Sequence, residues 1–409
     1  MGKKKWVNCM KKKKWSRTRH LIIIFLARIV MWPILFFGYG FRYKRFQRDK
    51  RNYLILYNHV SAFDQIFIAY LFKCKTYYVG SDDLLTHKTV GPILKWAVNL
   101  IPYKKASTDF TILRTCRQVA SENANICISP EGNRTYSGKT CHMNPTIAKM
   151  IHFLKLPVAI VNIEGAYGVQ PRFAKKKRRG RCKAYVSRVI EYEEYKDLSY
   201  EELFELVKTN LTIDESIPSG PYKSKARAEY IERVIYNCPV CGFSHFISKG
   251  SKMSCTKCGA TVEYTEYKQF ESLDGKISFK NIAEWYEYQE QYILNYNLGE
   301  VSENIPIFED KGSLFKIIPR KKRELLYEDA LIKLYNNRIE FIKESEVFTI
   351  KLENIVSSGV FGKNKVNFFT KEDIFQIKSD VHFNALKYVH MVYKFKMEKG
   401  ENNEKFLGI

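Results

Sequence analysis

Acidic residues are scarce in this chain of 409 residues: 43 Asp and Glu stand against 68 Lys and Arg, which gives a formal net charge of +25. Such an excess favours a polyanionic partner, which can be a nucleic acid, an anionic bilayer or a phosphate-bearing substrate. The overall charge does not choose among these three. An aromatic content of 14% argues against disorder, and the length predicts two or three folded units.

The sequence also lacks the cysteine pattern of a disulfide scaffold. Of its 10 cysteines, most are scattered, but Cys238, Cys241, Cys255 and Cys258 form two Cys-x-x-Cys pairs separated by 13 residues. This usage indicates a reducing compartment and one metal site. Four thiolates in two tight turns supply a closed tetrahedral shell, so the pattern predicts a zinc ribbon with a structural Zn²⁺. His245, between the pairs, is interpreted as a loop residue.

Residues 1–20 contain no acidic residue and precede the apolar run 21–41, which is followed by a second basic segment. The run is long enough to span a bilayer. Because Arg28 and Pro33 lie inside it and both flanks are basic, we expect a re-entrant or interface-lying helix pair broken near Pro33, with a single span as the alternative. No small-residue site follows that would indicate a cleaved signal peptide. The predicted location is the cytoplasmic face of an anionic membrane.

Beyond this segment, strand-like and helix-like patterns alternate as far as residue 189. Alternation of this kind predicts an α/β domain with a mixed, mostly parallel sheet flanked by helices. A predicted strand over 53–57 stops at Asn58-His59, and a helical pattern over 63–72 follows. The basic run 175–179 is compatible with a solvated turn and with a contact to phosphate.

The second half predicts smaller units. Residues 216–235 have the composition of a linker that ends in a short helix, 279–298 suit a helix, and short alternating segments after 316 predict an antiparallel β-barrel closed by a helix, the pleckstrin-homology-like plan. The predicted organisation is an apolar anchor (1–45), the α/β domain (46–215), a linker (216–235), the zinc ribbon (236–265), a connecting segment (266–315), the β domain (316–398) and a tail (399–409).

His59 and Asp64 stand where a strand leaves the sheet, the edge at which open α/β sheets bind ligands. An imidazole there can act as a general base when a carboxylate holds its other nitrogen. Positions five apart on one helix point roughly 140° apart, so the pair meets only if the chain turns near Ser61. Ser61-x-x-Asp64 also fits a capping box, in which Asp64 begins the helix and has no chemical role.

A second motif, Pro130-Glu131-Gly132-Asn133-Arg134, again follows a predicted strand. Its arginine can bind phosphate through two parallel N–H groups, and its glycine permits close approach. The alternative is a surface turn closed by a Glu131–Arg134 ion pair.

Together the two motifs resemble the glycerophospholipid acyltransferases, specifically the 1-acylglycerol-3-phosphate acyltransferases, over residues 46–215. Asn58, His59 and Asp64 match that family's Asn-His-x4-Asp block. Its Pro-Glu-Gly-Thr-Arg-Ser block is matched at Pro130, Glu131, Gly132 and Arg134, whereas Asn133 and Thr135 replace the usual Thr and Ser. Lys105 stands where the family has an arginine, and a lysine loses the planar fork.

The resemblance implies transfer of an acyl chain from acyl-CoA or acyl carrier protein to the sn-2 hydroxyl of lysophosphatidic acid or a related lysophospholipid, without a redox cofactor. It assigns catalysis to His59 and Asp64, and substrate binding to Asn58, Lys105, Glu131, Gly132 and Arg134. The alternative function is a zinc-ribbon nucleic-acid-binding or scaffold protein that retains a non-catalytic acyltransferase fold. Nucleic acid is disfavoured because the positive charge concentrates beside the apolar run and on the α/β domain.

Overall fold

The structure, a computed structural model, describes residues 14–46, 50–81, 90–97, 100–103, 111–318 and 323–401. Lys105 and most of the basic N-terminal segment lie outside these residues, so the predictions made for them stay predictions.

The apolar run forms one helix, α1 (Thr18–Tyr39), with Pro33 inside it. The predicted break near Pro33 is therefore wrong. Proline removes only one N–H···O bond from a helix, and the remaining apolar residues continue it on both sides. Among the described residues, α1 is the one helix that is long and apolar enough to cross a membrane, and only 6% of its apolar window is buried.

The α/β domain is built on a mixed seven-stranded sheet in the order β1-β7-β6-β2-β5-β3-β4. Its neighbours are parallel except β6 and β7, which run antiparallel. Its strands are β1 (Phe41–Tyr43), β2 (Leu54–Tyr57), β3 (Thr76–Ser81), β4 (Ile101–Tyr103), β5 (Asn125–Ile128), β6 (Val158–Glu164) and β7 (Cys182–Ile190). Its helices are α2 (Asp64–Leu71), α3 (Val90–Ala97), α4 (Thr111–Ser121), α5 (Thr146–Leu154), α6 (Ala166–Val169), α7 (Tyr192–Tyr195) and α8 (Tyr200–Leu211).

The central strand β2 is buried at every position, as expected where helices cover both faces of a parallel sheet. One face packs on α2 and the end of α1, through Phe67, Leu71 and Tyr39, among others. The other face packs on α5 and α8, through Ile151 and Leu203, among others. The predicted α/β architecture is confirmed, and the strand ends that carry both motifs lie side by side at its centre.

The segment interpreted as a linker is packed rather than exposed. Tyr222, Ala228, Ile231 and Ile235 are all buried. The short helix expected there is reduced to a 3₁₀ turn at Ile231–Arg233, because the packed chain must turn before entering the cysteine-rich unit.

The cysteine-rich unit consists of the hairpin β8 (Asn237–Cys238) and β9 (Gly242–Phe243) and an antiparallel four-stranded sheet. That sheet contains β10 (Phe246–Lys249), β11 (Lys252–Cys255), β12 (Thr261–Tyr264) and β13 (Phe270–Ser272). The helix expected over 279–298 is present as α9 (Ile282–Asn295), which begins at Asn281, whose side chain accepts the N–H of Glu284.

The C-terminal unit is a seven-stranded antiparallel sheet in the order β17-β16-β15-β14-β20-β19-β18. The strands are β14 (Phe308–Lys316), β15 (Glu324–Leu334), β16 (Arg338–Lys343), β17 (Glu346–Lys351), β18 (Ile355–Phe361), β19 (Lys365–Thr370) and β20 (Ile374–Lys378), followed by α10 (Leu386–Glu398). The antiparallel sheet and its final helix are as predicted. The sheet begins at Phe308, ahead of the predicted boundary at residue 316, because β14 is the strand that joins the two halves of the sheet.

One hydrophobic cluster, distinct from the two that cover the faces of the α/β sheet, connects these units. It runs from the α/β domain through the cysteine-rich unit and α9 into the C-terminal sheet, with Phe173, Tyr236, Trp285 and Phe341 among its buried members. The C-terminal sheet is therefore fixed against the flank of the α/β domain, beside the loop that follows α6.

Candidate active site

The parallel arrangement of β2, β5 and β6 places the two motifs at one edge of the sheet. Leu56 on β2 is in register with Ile128 on β5 and with Ile160 on β6. Carboxyl ends of neighbouring parallel strands meet at the same edge, so His59 and the 130–134 loop emerge together.

His59 and Asp64 form the pair that the spacing predicted. His59 Nδ1 lies 2.7 Å from Asp64 Oδ2, and the Asp64 carboxylate also accepts the N–H groups of Val60 at 2.9 Å and Ser61 at 3.0 Å. Asp64 is fully buried, whereas the His59 side chain is 20% exposed. A carboxylate on Nδ1 favours the tautomer whose Nε2 lone pair is available, and no described residue hydrogen-bonds to Nε2. The imidazole is thus oriented as a general base.

The loop of the second motif holds the backbone of His59 from both sides. Glu131 Oε1 accepts the His59 N–H at 2.7 Å, and the Thr135 N–H donates to the His59 carbonyl at 3.1 Å. The other carboxylate oxygen of Glu131 accepts the Cys141 N–H at 2.7 Å. Burial raises the pKa of Glu131 from 4.5 to about 8, against the opposing effect of these two N–H groups. Its geometry is that of a positioning residue, and the predicted Glu131–Arg134 surface pair is absent from the described ion pairs.

Asn58 is also occupied by the backbone. Its Nδ2 donates to the Ile163 carbonyl at 2.9 Å, and its Oδ1 accepts the Ile163 N–H at 2.8 Å, so the side chain extends the link between β2 and β6. Because Asn58 is only 1% exposed, the structure gives it a structural place next to the site rather than an open position in it.

Arg134 is the cation of the site. Burial and the charge of Arg172 lower its pKa, whereas the charge of Asp64 acts in the opposite direction. Among the described residues its guanidinium has no hydrogen-bond acceptor. Its carbonyl is held by Arg172 Nη1 at 3.0 Å, and the Arg172 guanidinium lies 4.0 Å above the Tyr136 ring. Gly132 has φ +67°, and nothing lies within 4 Å of the position a Cβ would take there, so the loop is open on that side.

Arg172 is a site residue that sequence reasoning missed, and Thr135 was noted only as a departure from the family's block. Arg172 belongs to no chemical motif in its own segment, and the one available signal was its proximity to the basic run 175–179. That run has divided roles in the structure: Arg178 is buried and donates to the carbonyls of Gly168 and Arg227, while Lys177 Nζ lies 4.5 Å from the centroid of the Tyr39 ring. The run 175–179 is therefore not a solvated turn throughout, because Arg178 is buried and bonded to backbone carbonyls.

The four paired cysteines come together in a second candidate site. The sulfur atoms of Cys238, Cys241, Cys255 and Cys258 all lie within 4.8 Å of one another, with Cys238–Cys258 and Cys241–Cys255 both at 3.6 Å. A tetrahedral Zn²⁺ with Zn–S bonds of 2.3 Å places its sulfur ligands about 3.8 Å apart. The donor set and its spacing therefore fit zinc.

Comparison with known proteins assigns the α/β domain to a class. Residues 41–164 match the model of the acyltransferase family. This match includes the His59–Asp64 pair and the 130–134 loop, so the chain carries a domain of the acyltransferase family, as the resemblance of its motifs implied. The family match supports an acyltransferase activity for this domain.

Individual solved structures resemble parts of the chain. The 1-acyl-sn-glycerophosphate (LPA) acyltransferase PlsC from Thermotoga maritima shares 19% identity at a TM-score of 0.40, over 47% of this chain and 76% of that one. The N-terminal PH domain of human ARAP2 protein shares 20% identity at a TM-score of 0.20, over 24% of this chain and 87% of the domain. The Inner Membrane Complex Sub-compartment Protein 3 from Toxoplasma gondii shares 13% at a TM-score of 0.18, over 28% and 87%. No curated protein sequence matches the chain.

Proposed function

We propose that this protein transfers an acyl chain from an acyl thioester to the sn-2 hydroxyl of lysophosphatidic acid or a closely related lysophospholipid at a membrane surface. The observation that carries the proposal is the His59–Asp64 pair, 2.7 Å apart, at the same strand edge as Arg134, whose guanidinium has no acceptor among the described residues. A thioester donor requires no metal or redox group at this site, and acyl-CoA and acyl carrier protein both supply one.

The reaction follows from the orientation of these groups. His59 Nε2 takes the proton of the acceptor hydroxyl as its oxygen attacks the thioester carbonyl carbon. The new C–O bond forms, the C–S bond breaks, and the imidazolium returns the proton to the thiolate that leaves. Asp64 holds the ring and stabilises its charged form, and Arg134 holds the acceptor phosphate so that the hydroxyl lies within reach of His59.

Glu131 and Asn58 fit this scheme as positioning residues. Each binds backbone groups rather than opening toward substrate, Glu131 at His59 and Asn58 at Ile163. We propose Lys105 as a further phosphate contact on the ground of the family resemblance alone.

Substitution of His59 by Ala tests the proposal. With the purified full chain in vesicles, lysophosphatidic acid and acyl-CoA, we expect kcat to fall by about 10²–10⁴-fold, the range that general-base catalysis contributes. The matched control is His152→Ala. The described contacts of His152 on α5 are a hydrogen bond from Nε2 to the Leu198 carbonyl at 3.1 Å and edge-on contacts with the rings of Tyr195 and Tyr200. Full activity of His59→Ala at equal protein level would exclude the assigned mechanism.

We further propose a structural Zn²⁺ at the four cysteines. Both Cys-x-x-Cys turns contribute to the core that joins the α/β domain to the C-terminal sheet, and the buried Cys238 and Cys255 belong to it. The ion would hold the two Cys-x-x-Cys turns of this unit together, and it takes no part in acyl transfer.

The membrane proposal rests on α1. Its outward side chains are strongly exposed, including Phe25 at 59%, Val30 at 67% and Phe37 at 82%. Apolar surface of this extent on a helix that ends beside α2 supports insertion into lipid next to the site, where both acyl substrates reside. The basic residues on both sides of α1 favour the cytoplasmic face.

A further inference from the structure

The C-terminal sheet contacts the loop that carries Arg172. Arg172 Nη2 donates to the carbonyl of Val360 on β18 at 3.4 Å. Lys363, in the turn between β18 and β19, donates from Nζ to the carbonyl of Ala174. The β18–β19 turn therefore lies on the same loop whose Arg172 holds the Arg134 carbonyl, so the sheet is connected to the phosphate-binding loop by two consecutive contacts.

These contacts assemble positive charge without an acidic partner. Burial, together with the positive charges of Arg233, Arg134 and Lys175, lowers the pKa of Lys363 from 10.5 to about 8. The positive charge of Arg172 in turn lowers the pKa of Arg134. Among the described residues neither Lys363 nor Arg134 forms an ion pair with a carboxylate.

Arg172 adds an independent sign that the cluster is built for a ligand. Only 6% of Arg172 is exposed, yet its Nε–H has no hydrogen-bond partner among the described residues. A buried donor without an acceptor costs free energy in the absence of a ligand. Cations that repel one another, together with a buried donor that lacks an acceptor, are stabilised when an anion enters.

We propose that Lys363 of the C-terminal sheet and Arg134 of the acyltransferase domain bind the same phosphate monoester, the headgroup of the acceptor lipid. This inference rests on the proposed function and extends it: the C-terminal sheet completes the acceptor site and selects monoester headgroups over diesters. A monoester carries close to two negative charges near neutral pH, because its second pKa is about 6, whereas a diester carries one. Two cations on separate units match the dianion.

The test compares two acceptors in the full chain with Lys363→Ala. We expect the KM for lysophosphatidic acid to rise at least about tenfold, since a charge-assisted contact to phosphate is lost, with the KM for acyl-CoA unchanged. The KM for lysophosphatidylcholine, a phosphodiester, should change much less. Lys363→Arg keeps the charge and should restore most of the affinity for the monoester. The matched control is Lys343→Ala, an exposed lysine at the end of β16 in the same sheet.

A pH profile separates recognition from a structural role of the Nζ–Ala174 contact. In the wild type the KM for lysophosphatidic acid should rise as the pH passes about 8, where Lys363 loses its proton, and Lys363→Arg should shift this rise to higher pH. The other charged groups facing Lys363 are Arg233, Arg134 and Lys175. An equal rise of both acceptor KM values in Lys363→Ala, with Lys363→Arg no better, would mean loosened packing and overturn the proposal.

Two further experiments distinguish a lipid headgroup from free phosphate and measure lipid binding independently of acyl transfer. Inorganic phosphate should compete with lysophosphatidic acid and do so more weakly in Lys363→Ala; an effect on kcat alone would indicate a separate phosphate site and overturn the proposal. Calorimetric binding of lysophosphatidic acid to His59→Ala, with and without Lys363→Ala, needs no acyl transfer. An unchanged affinity there overturns this inference, whereas an inactive wild type that binds the lipid through Lys363 overturns only the proposed reaction.

Discussion

Asp64 explains how residues five positions apart can meet. Its carboxylate accepts the N–H groups of Val60 and Ser61, which folds the chain back so that His59 Nδ1 reaches the same oxygen. Helix α2 begins at Asp64, but the Ser61 hydroxyl accepts the Phe63 N–H instead of forming the reciprocal capping box. The capping alternative is therefore half right: Asp64 is a first-turn residue, and its side chain is used for the turn and for the imidazole together.

Glu131 gives a prediction for stability against pH. Its pKa is raised in the folded protein from 4.5 to about 8, so the folded state binds more protons than the unfolded state between these values. Its contribution to the free energy of unfolding must therefore fall as the pH rises from about 4.5 to about 8. In Glu131→Gln this dependence is absent, and one of the two N–H donors faces an amide NH₂, which costs about 1–3 kcal/mol.

The measurement is urea unfolding of both proteins at several pH values. The difference in unfolding free energy between wild type and Glu131→Gln should narrow as the pH rises. Subtracting the variant removes the contributions of Glu215 and Glu290, whose pKa values are raised to about 7 and about 8 and act in the same direction. A difference that widens toward pH 8 would contradict the assignment.

At this scale the sequence predicted which residues gather, and it did so through spacing and strand ends. It could not predict that Glu131 binds the backbone of His59, because a motif locates a carboxylate without fixing the direction in which it points. Arg172 was missed for a related reason: its contact with the Arg134 carbonyl joins positions that are distant in the chain and have no shared pattern.

Among the elements, α1 shows why an arginine inside an apolar run need not break a helix. Arg28 donates from Nε to the Ala69 carbonyl at 2.8 Å and from Nη2 to the carbonyls of Ala69 and Phe72. These carbonyls are at the C-terminal end of α2, where a cation is favoured. Arg28 is thus turned toward the protein, which leaves the opposite side of α1 apolar.

That apolar side makes membrane binding testable without disturbing the fold. Val30→Asp with Phe37→Asp changes two exposed positions of α1, and we expect binding to anionic vesicles to weaken at least about tenfold, because each side chain contributes roughly 1.5–3 kcal/mol when buried in lipid. Vesicle flotation measures it. Ile305→Asp, at a residue 63% exposed outside α1, is the control and should bind as the wild type does. Equal binding of all three proteins would remove α1 as the anchor.

The stability of the cysteine-rich unit should depend on the proposed Zn²⁺. We expect the wild type to carry one Zn²⁺ per chain, and Cys255→Ser to lose it together with several kcal/mol of unfolding free energy, since binding energy of a structural zinc is folding energy. Elemental analysis and chemical unfolding give the two readouts. Cys74→Ser changes a cysteine outside the cluster and should retain zinc. Zinc retained at full occupancy by Cys255→Ser would exclude this residue as a ligand.

On the scale of the whole molecule, the connection between units is what sequence patterns left out. Strands, helices and the two Cys-x-x-Cys turns are local features, and most of the strands and helices were predicted. The packed 216–235 segment and the shared hydrophobic cluster depend on side chains that are distant in sequence, such as Phe173 and Phe341. The sequence of a polar segment does not indicate which distant residues its apolar side chains contact. The composition of this segment is that of a linker, but its buried side chains pack between the acyltransferase domain and the C-terminal sheet.

Arg233 is the residue at which this connection can be tested. It donates from Nη1 to the Phe173 carbonyl at 2.7 Å and from Nε to the Val381 carbonyl at 2.7 Å, so one side chain joins the loop beside the active site to the segment after β20. Arg233→Ala leaves both carbonyls without this donor. We expect a loss of about 2–4 kcal/mol in unfolding free energy, since bonds from a charged donor contribute about 1.5–3 kcal/mol each and relaxation recovers part of it.

The form of unfolding discriminates further than its magnitude. Because one hydrophobic cluster spans the units, the wild type should unfold in one calorimetric transition. In Arg233→Ala the C-terminal sheet is bound less tightly to the acyltransferase domain, so the single transition should separate into two. Arg338→Ala is the matched control: Arg338 bonds with Glu340 and the Glu303 carbonyl within the C-terminal half, so it should lower stability without splitting the transition. A single transition in Arg233→Ala, at an unchanged midpoint, would mean that apolar packing alone joins the units and that Arg233 adds nothing to it.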